Sequence, residues 1–382
     1  MTRLVHELIL ASAARTPQER ALVHRKSAAT YETLAADLLA VAGTLSRLDV
    51  RPGERVATWL PKVPEAATGL FGAAAAGAVF VPVNPLLKPP QVRHILRDCN
   101  VRVLITTPER VGQLAGILGE CPDLRTVLAT GDLRAQGEPP GHVQVLSWGE
   151  AVAAPGADAP VPARRIDTDL AAILYTSGST GQPKGVVLSH RNMVAGAQSV
   201  AEYLENTPDD RLLAALPLSF DYGLSQLTTA FLKGASVVLM DYLLPRDVVK
   251  AVAAHQVTGL AGVPPLWVQL AAQEWPPEAR ESLRYLTNSG GAMPRSVVTA
   301  LRTALPRTRV YLMYGLTEAF RSTYLPPEEV DRRPDSMGRA IPNADVQVVR
   351  EDGSPCAPGE PGELVHRGAL VAQGYWNDPE RT

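Results

Sequence analysis

Between Tyr175 and Gly185 the chain places four hydroxyl side chains, three glycines and one lysine in ten residues: Thr176-Ser177-Gly178-Ser179-Thr180-Gly181-Gln182-Pro183-Lys184-Gly185. Glycines let main-chain N–H groups approach an anion closely. The Ser and Thr hydroxyls add neutral donors, and Lys184 adds a point charge. Such a set suits many negative oxygens at once, as on a triphosphate. The spacing is not that of a Walker loop, which needs Gly-x-x-x-x-Gly-Lys and then Ser or Thr opening a helix. Here Pro183 precedes the lysine, Gly185 follows it, and apolar runs at 171–174 and 186–188 predict a strand on either side. A flexible Ser/Gly linker would not sit between two buried strands.

A second group lies at Tyr311-Leu312-Met313-Tyr314-Gly315-Leu316-Thr317-Glu318. A strand ending in Tyr-Gly brings a π-face and bare backbone to its carboxyl end, where open α/β sheets bind ligands. Glu318, one turn on, is a hard oxygen donor suited to a cation that bridges phosphates. Taken singly, Glu318 also reads as an exposed glutamate and Tyr314 as a core aromatic. Asn288-Ser289-Gly290-Gly291-Ala292-Met293-Pro294 sits at another predicted strand end and turns into a helix. In Leu216-Pro217-Leu218-Ser219-Phe220-Asp221-Tyr222-Gly223-Leu224, Asp221 reads from the residues as a helix N-cap. No histidine reads as a base: His190 falls at a helix start, and His94 and His255 fall in helical patterns.

These loops need a frame. Strands are predicted at 55–60, 79–83, 101–106, 143–146, 171–175, 211–215, 236–239, 259–262, 285–288 and 310–314. Helices are predicted at 64–76, 91–98, 192–204, 222–232, 245–254, 264–273 and 294–304, with a further helical pattern capped by Thr30. That alternation predicts an α/β fold with largely parallel sheets. Residues 344–350 and 362–366, around a Glu351-Asp352-Gly353 turn, predict a small antiparallel β unit. The Gly/Pro/Ala/Asp-rich stretch 131–168 reads as a surface connection, which suggests sub-domains at 1–160, 166–330 and 335–382.

Composition narrows the class. The 382 residues are 46% apolar and 20% charged, and their net charge of -2 leaves no basic footprint for nucleic acid or an anionic membrane. Cys99, Cys121 and Cys356 are far apart in sequence and form no metal-binding pattern, so free thiols in a reducing compartment are expected. The most apolar stretch, 69–83, is short and rich in Gly and Ala, and reads as a buried helix running into a strand. The N-terminus shows no signal-peptide pattern, and a cytoplasmic enzyme is expected.

The loop 175–185 resembles the phosphate-binding signature of the adenylate-forming superfamily: acyl-CoA synthetases, peptide-synthetase adenylation domains and beetle luciferases. Residues 311–318 are similar to its second signature. Gly362-Glu363-Leu364-Val365-His366-Arg367-Gly368 and Gly374-Tyr375-Trp376-Asn377-Asp378-Pro379 are similar to the segment that closes the family's large domain, so the resemblance spans nearly the whole chain. It implies stacked, largely parallel sheets flanked by helices, with a small antiparallel β sub-domain. It also implies ATP as substrate. Thr176, Ser177, Gly178, Ser179, Thr180, Gly181 and Lys184 would meet the β- and γ-phosphates. Gly290, Gly291 and Ala292 would lie against adenine and the acyl group. Tyr314, followed by Gly315, would stack on adenine, Thr317 would reach the α-phosphate, and Glu318 would hold Mg²⁺. Thr176, Lys184, Thr317 and Glu318 are the implied catalytic set. The implied acyl pocket is Phe220, Asp221, Tyr222, Val263, Pro264, Gly290 and Gly315.

The implied chemistry has two steps. A carboxylate oxygen of a small acid attacks the α-phosphorus and pyrophosphate leaves; a thiol of CoA or of a carrier protein's phosphopantetheine arm then displaces AMP. Leu316, where peptide-synthetase domains carry proline, points to the acyl-CoA ligase branch. Phe220-Asp221 resembles peptide-synthetase domains, whose Asp receives an amino acid's ammonium group, and points instead to amino-acid or aryl-acid activation for a carrier protein; for Asp221 the cap reading is preferred to the ammonium receptor. A nucleotide-binding module without turnover, or half of a split enzyme, is the alternative of another class. The family places a Thr-Gly-Asp segment, a hinge and a small lysine-bearing domain next; none occurs in these residues, so weak turnover by this chain alone is expected.

Overall fold

The computed structural model describes residues 2–133, 141–153, 162–176 and 183–382. They form two compact units. The first comprises Met1–His190, Pro217–Leu224 and Gln373–Thr382; the second comprises Arg191–Leu216 and Ser225–Ala372.

An eight-stranded sheet forms the centre of the first unit. Its spatial order is Gly374–Tyr375, Lys184–Ser189, Leu170–Thr176, Val79–Pro82, Arg55–Thr58, Val101–Thr106, Thr126–Ala129 and Gln144–Ser147. From Leu170–Thr176 to Gln144–Ser147 the neighbours run parallel, and the first two strands pair antiparallel. Every residue of Val79–Pro82 is buried, as expected of a parallel strand covered on both faces. The helix Tyr31–Arg47 starts at Thr30, whose hydroxyl accepts the Thr33 N–H, as its sequence predicts. It packs on Pro64–Ala75, and a Cβ at Gly72 would lie 2.6 Å from Val41 Cβ. The small face of the second helix is thus a condition of that packing.

The second unit has the strand order Arg339–Ala340, Thr323–Leu325, Arg309–Tyr314, Tyr285–Asn288, Gly259–Gly262, Arg211–Ala214, Ser236–Leu239. The last five run parallel, and the chain then turns back antiparallel on Arg309–Tyr314. Ala344–Val349 and Glu363–Gly368 make a separate two-stranded antiparallel ribbon, the small β unit predicted around Gly353. A tyrosine cluster fills part of this core, with Tyr203 and Tyr324 stacked at 4.4 Å. Asp210, 2% exposed, accepts from Arg284, Thr258 and Asn206. Among the described residues, no helix is long and apolar enough to cross a membrane.

The alternation of strand and helix was legible. Two differences bear on the site. The strands around the hydroxyl-rich loop reach further than their apolar runs, to Thr176 on one side and from Lys184 on the other. The helix expected from Tyr222 begins on Asp221.

Candidate functional site

The hydroxyl-rich loop joins two antiparallel strands, and Thr176 and Lys184 are cross-strand partners. They therefore stand opposite each other at its neck, one hydroxyl and one ammonium. Ser177, Gly178, Ser179, Thr180 and Gly181 lie outside the described residues. Lys184 Nζ sits 5.6 Å from the centre of the Tyr375 ring, on the strand added to the outer side of the hairpin.

Side chains hold this hairpin. The Tyr175 hydroxyl donates to Asp98 Oδ2 at 2.5 Å. Burial, the nearby Cys99 and Asp98 all push the Tyr175 hydroxyl above its ordinary range, which keeps it a donor. The Asp98 carbonyl accepts from Trp376 Nε1 at 2.9 Å and from Asn377 Nδ2 at 2.8 Å. His94, expected as an ordinary helical residue, places Nε2 3.3 Å from the Pro183 carbonyl and its ring edge-on to Tyr175. Gly185 is required here: a Cβ would lie 2.7 Å from Ile173 Cγ2 and 3.2 Å from Trp376 Cβ. Past the hairpin, His190 Nδ1 accepts the Val5 N–H at 3.1 Å, and its ring meets the buried His6 ring edge-on.

The second unit contributes a cavity of about 520 Å³, lined by Asn288 and by residues 290–293, 312–316 and 334–337. Gly290, Gly291, Ala292, Tyr314 and Gly315 are thus brought around one space. Gly290 has φ +81°, a left-handed turn conformation that favours glycine. Val263 Cγ1 and Pro264 Cγ lie 3.5 and 3.1 Å from Cβ positions built at Gly290 and Gly291, so both residues back this turn. A Cβ on Gly315 would lie 2.8 Å from Arg321 Cα, a main-chain atom that cannot swing away. Thr317 and Glu318 follow in the short helical turn Thr317–Ala319, where the Glu318 carbonyl accepts the Ala372 N–H at 2.7 Å. Phe320 closes this stretch with φ 57° and ψ -59°, and the Arg321 N–H donates back to Ala319 at 2.6 Å. That is a γ-turn, a strained conformation of order 1–3 kcal/mol. Full burial of the Phe320 ring against Gly196 offsets it.

Of the predicted acyl-pocket residues, Phe220, Asp221 and Tyr222 belong to the first unit, and Val263, Pro264, Gly290 and Gly315 to the second. Phe220 is half exposed, while Asp221 and Tyr222 are buried. Because Asp221 is the first helical residue, Phe220 fills the cap position and its carbonyl accepts the Leu224 N–H at 2.9 Å. Asp221 stands in the first turn, where a carboxylate meets the positive end of the helix dipole. Residue patterns had not singled out Asp98 or Trp376 as supports, nor Met337 as lining; no local signal links residues so far apart. Asn288 was legible as a strand end but not as a cavity wall.

The AMP-binding enzyme family matches residues 9–376. A feruloyl-CoA synthase of Amycolatopsis sp is 33% identical over 371 residues, covering 96% of this chain and 70% of that protein. An L-proline--[L-prolyl-carrier protein] ligase of Pseudomonas fluorescens is 31% identical over 387 residues, covering 99% of this chain and 74% of its own length. Among solved structures, the anthranilate CoA ligase AuaEII in complex with anthranoyl-AMP superposes with a TM-score of 0.88 at 25% identity, covering 100% of this chain and 73% of that one. Two signatures, a fold and a match over nearly the full length agree: the chain belongs to the AMP-binding enzyme family, the adenylate-forming superfamily of acyl-CoA synthetases and adenylation domains.

Proposed function

We propose that this chain binds ATP and a small carboxylic acid and forms the acyl-adenylate, and that the acyl group passes to the thiol of CoA. The observation that carries this reading is the pairing of Thr176 with Lys184 at the neck of the hydroxyl-rich loop. That pairing fixes a cation and a hydroxyl where a polyphosphate held by the loop would begin. In this reading Lys184 and Thr176, with Ser177, Gly178, Ser179, Thr180 and Gly181, hold the β- and γ-phosphates. Tyr314, Gly315, Gly290, Gly291 and Ala292 hold the base, and Thr317 orients the α-phosphate. The chain's contribution to the first step is then position and charge neutralisation while the carboxylate attacks in line.

Glu318 fits Mg²⁺. Among the described residues no group of three His, Cys, Asp or Glu side chains could hold a metal ion, and Mg²⁺ is commonly bound by one or two carboxylates plus substrate phosphates. When bound, it would neutralise phosphate charge. The sub-domain division at 1–160, 166–330 and 335–382, a cytoplasmic setting and weak turnover by these residues alone belong to the same proposal.

A second reading, loading of a carrier protein with an amino or aryl acid, is favoured by the buried carboxylate of Asp221, which could receive an ammonium group. The test is acid-dependent ATP–pyrophosphate exchange with fatty, aryl and amino acids, followed by CoA or a carrier protein as acceptor. Exchange with aryl or fatty acids and a CoA thioester product supports the first reading. Exchange with an amino acid, lost in Asp221→Asn, supports the second. No exchange with any acid, together with ATP binding by calorimetry, would leave a nucleotide-binding module.

A further inference from the structure

Asn288 ends the strand Tyr285–Asn288, is 2% exposed and lines the cavity at Tyr314. The orientation of its amide is fixed. Nδ2 donates to the Gly291 carbonyl at 2.9 Å, and a carbonyl oxygen can only accept. The other end of the amide is therefore Oδ1, and among the described residues it finds no donor. Buried acceptors in folded proteins are nearly always met, so this one calls for a partner from outside the described residues.

The surroundings leave the place to a ligand. Leu312, the cross-strand partner of Asn288, lines the same cavity with an apolar side chain. Val263 and Pro264, behind Gly290 and Gly291, also bring carbon atoms. The missing partner is a donor, and a neutral one. A buried ammonium would need a carboxylate beside it; the carboxylate in this lining, Asp335, is already paired with Arg295, whereas a carboxamide oxygen matches a neutral amine.

Resting on the reading of this cavity as the base-binding wall, we propose that Asn288 Oδ1 accepts a hydrogen bond from the 6-amino group of adenine and so selects ATP over 6-oxo purine triphosphates. In a 6-oxo purine an acceptor replaces that donor, and two oxygens would face each other. The same carboxamide thus does two tasks: Nδ2 shapes the Gly290–Gly291 turn and Oδ1 reads the base that lies on it.

Calorimetric titration of the chain with ATP, inosine triphosphate and purine riboside triphosphate, which lacks any 6-substituent, tests this. ATP should bind about tenfold more tightly than either analogue. Asn288→Ala and Asn288→Leu, checked for cooperative melting, should lose ATP affinity until the three ligands bind within about threefold of one another. Equal binding of ATP and purine riboside triphosphate to the unaltered chain overturns the inference without any variant. So does a folded variant that keeps the full preference for ATP. If the unaltered chain binds none of the three, the nucleotide reading fails, and this inference with it, a result distinct from binding without discrimination.

Discussion

The hairpin of Thr176 and Lys184 and the cavity at Tyr314 are built in opposite ways. Side chains bolt the hairpin in place: Tyr175 to Asp98, Trp376 and Asn377 to the Asp98 carbonyl, His190 to the main chain of Val5. The cavity is shaped mostly by main chain, through the left-handed Gly290, the Gly315 approach to Arg321 and the γ-turn at Phe320, with the Asn288 amide holding the Gly291 carbonyl. A polyphosphate needs charge and many donors, which a held hairpin can present. A flat base needs bare walls, which glycines supply and side chains would fill. Damage should therefore differ: substitutions in the hairpin should act on phosphate affinity, and those around the cavity on the shape of the turn.

The largest effect is expected from Lys184→Ala. Its loss should lower kcat/KM in exchange by about 10²–10³, the scale of one preorganised donor. Lys184 Nζ lies over the Tyr375 ring at 5.6 Å, a weak contact, so the melting temperature should hardly move. A large fall in stability instead would make Lys184 a bolt and break the comparison.

Acid should act next. Burial holds His6 and His190 at about 4, below their ordinary 6.5. Between those values the unfolded chain takes up protons that the folded unit refuses. Stability is therefore full above pH 6.5 and falls as pH drops towards 4, on the order of 2–3 kcal/mol for each histidine by pH 4.5. In the second unit burial alone would raise Asp210, yet hydrogen bonds from Arg284, Thr258 and Asn206 hold it below its ordinary 3.8. Its contribution is present above that value and is lost only below it. Thermal melts from pH 7.5 to 4 should show the early loss in the native chain and little of it in a His6→Asn/His190→Asn double variant.

Gly315→Ala should cost about 1–3 kcal/mol, because its Cβ meets main chain 2.8 Å away. ATP binding by calorimetry should weaken with it, whereas unchanged binding would show that the cavity tolerates a moved turn. The smallest effect is expected from Tyr175→Phe, which removes one hydrogen bond of about 1 kcal/mol. The KM for ATP should rise up to about fivefold while that for the acid stays fixed. An equal rise in both would mean that the Asp98 contact does not act on the phosphates alone.

Much of this was legible in the residues. The apolar alternation located most strands and helices, since buried parallel strands need continuous apolar runs and amphipathic helices need their period. The limits of the elements were less so. Lys184 follows a proline and looks like loop, yet pairing with Thr176 puts it on the strand; cross-strand hydrogen bonds carry no local signature. Asp221 looks like a cap but opens the helix itself. Tyr314, Gly290 and Gly291 could be named through the resemblance to the family's segments, since taken singly Tyr314 reads as a core aromatic and the glycines as a turn; the structure brings all three around one cavity. Asp98 and Trp376 could not, because 278 positions separate the two partners of that hydrogen bond. The orphaned oxygen of Asn288 is a matter of geometry, which composition does not encode.

The route of the chain limits how the protein can be dissected. Gly374–Tyr375 borders Lys184–Ser189, although the residues between them belong mostly to the second unit. A fragment cut after His190 would lose that border and leave Val186 and Val187 with unpaired main-chain groups on an open sheet edge. Edges of that kind recruit strands from other molecules. A circular permutant that carries Gln373–Thr382 in continuity with the first strands would keep the edge covered, and with it the ring beneath Lys184.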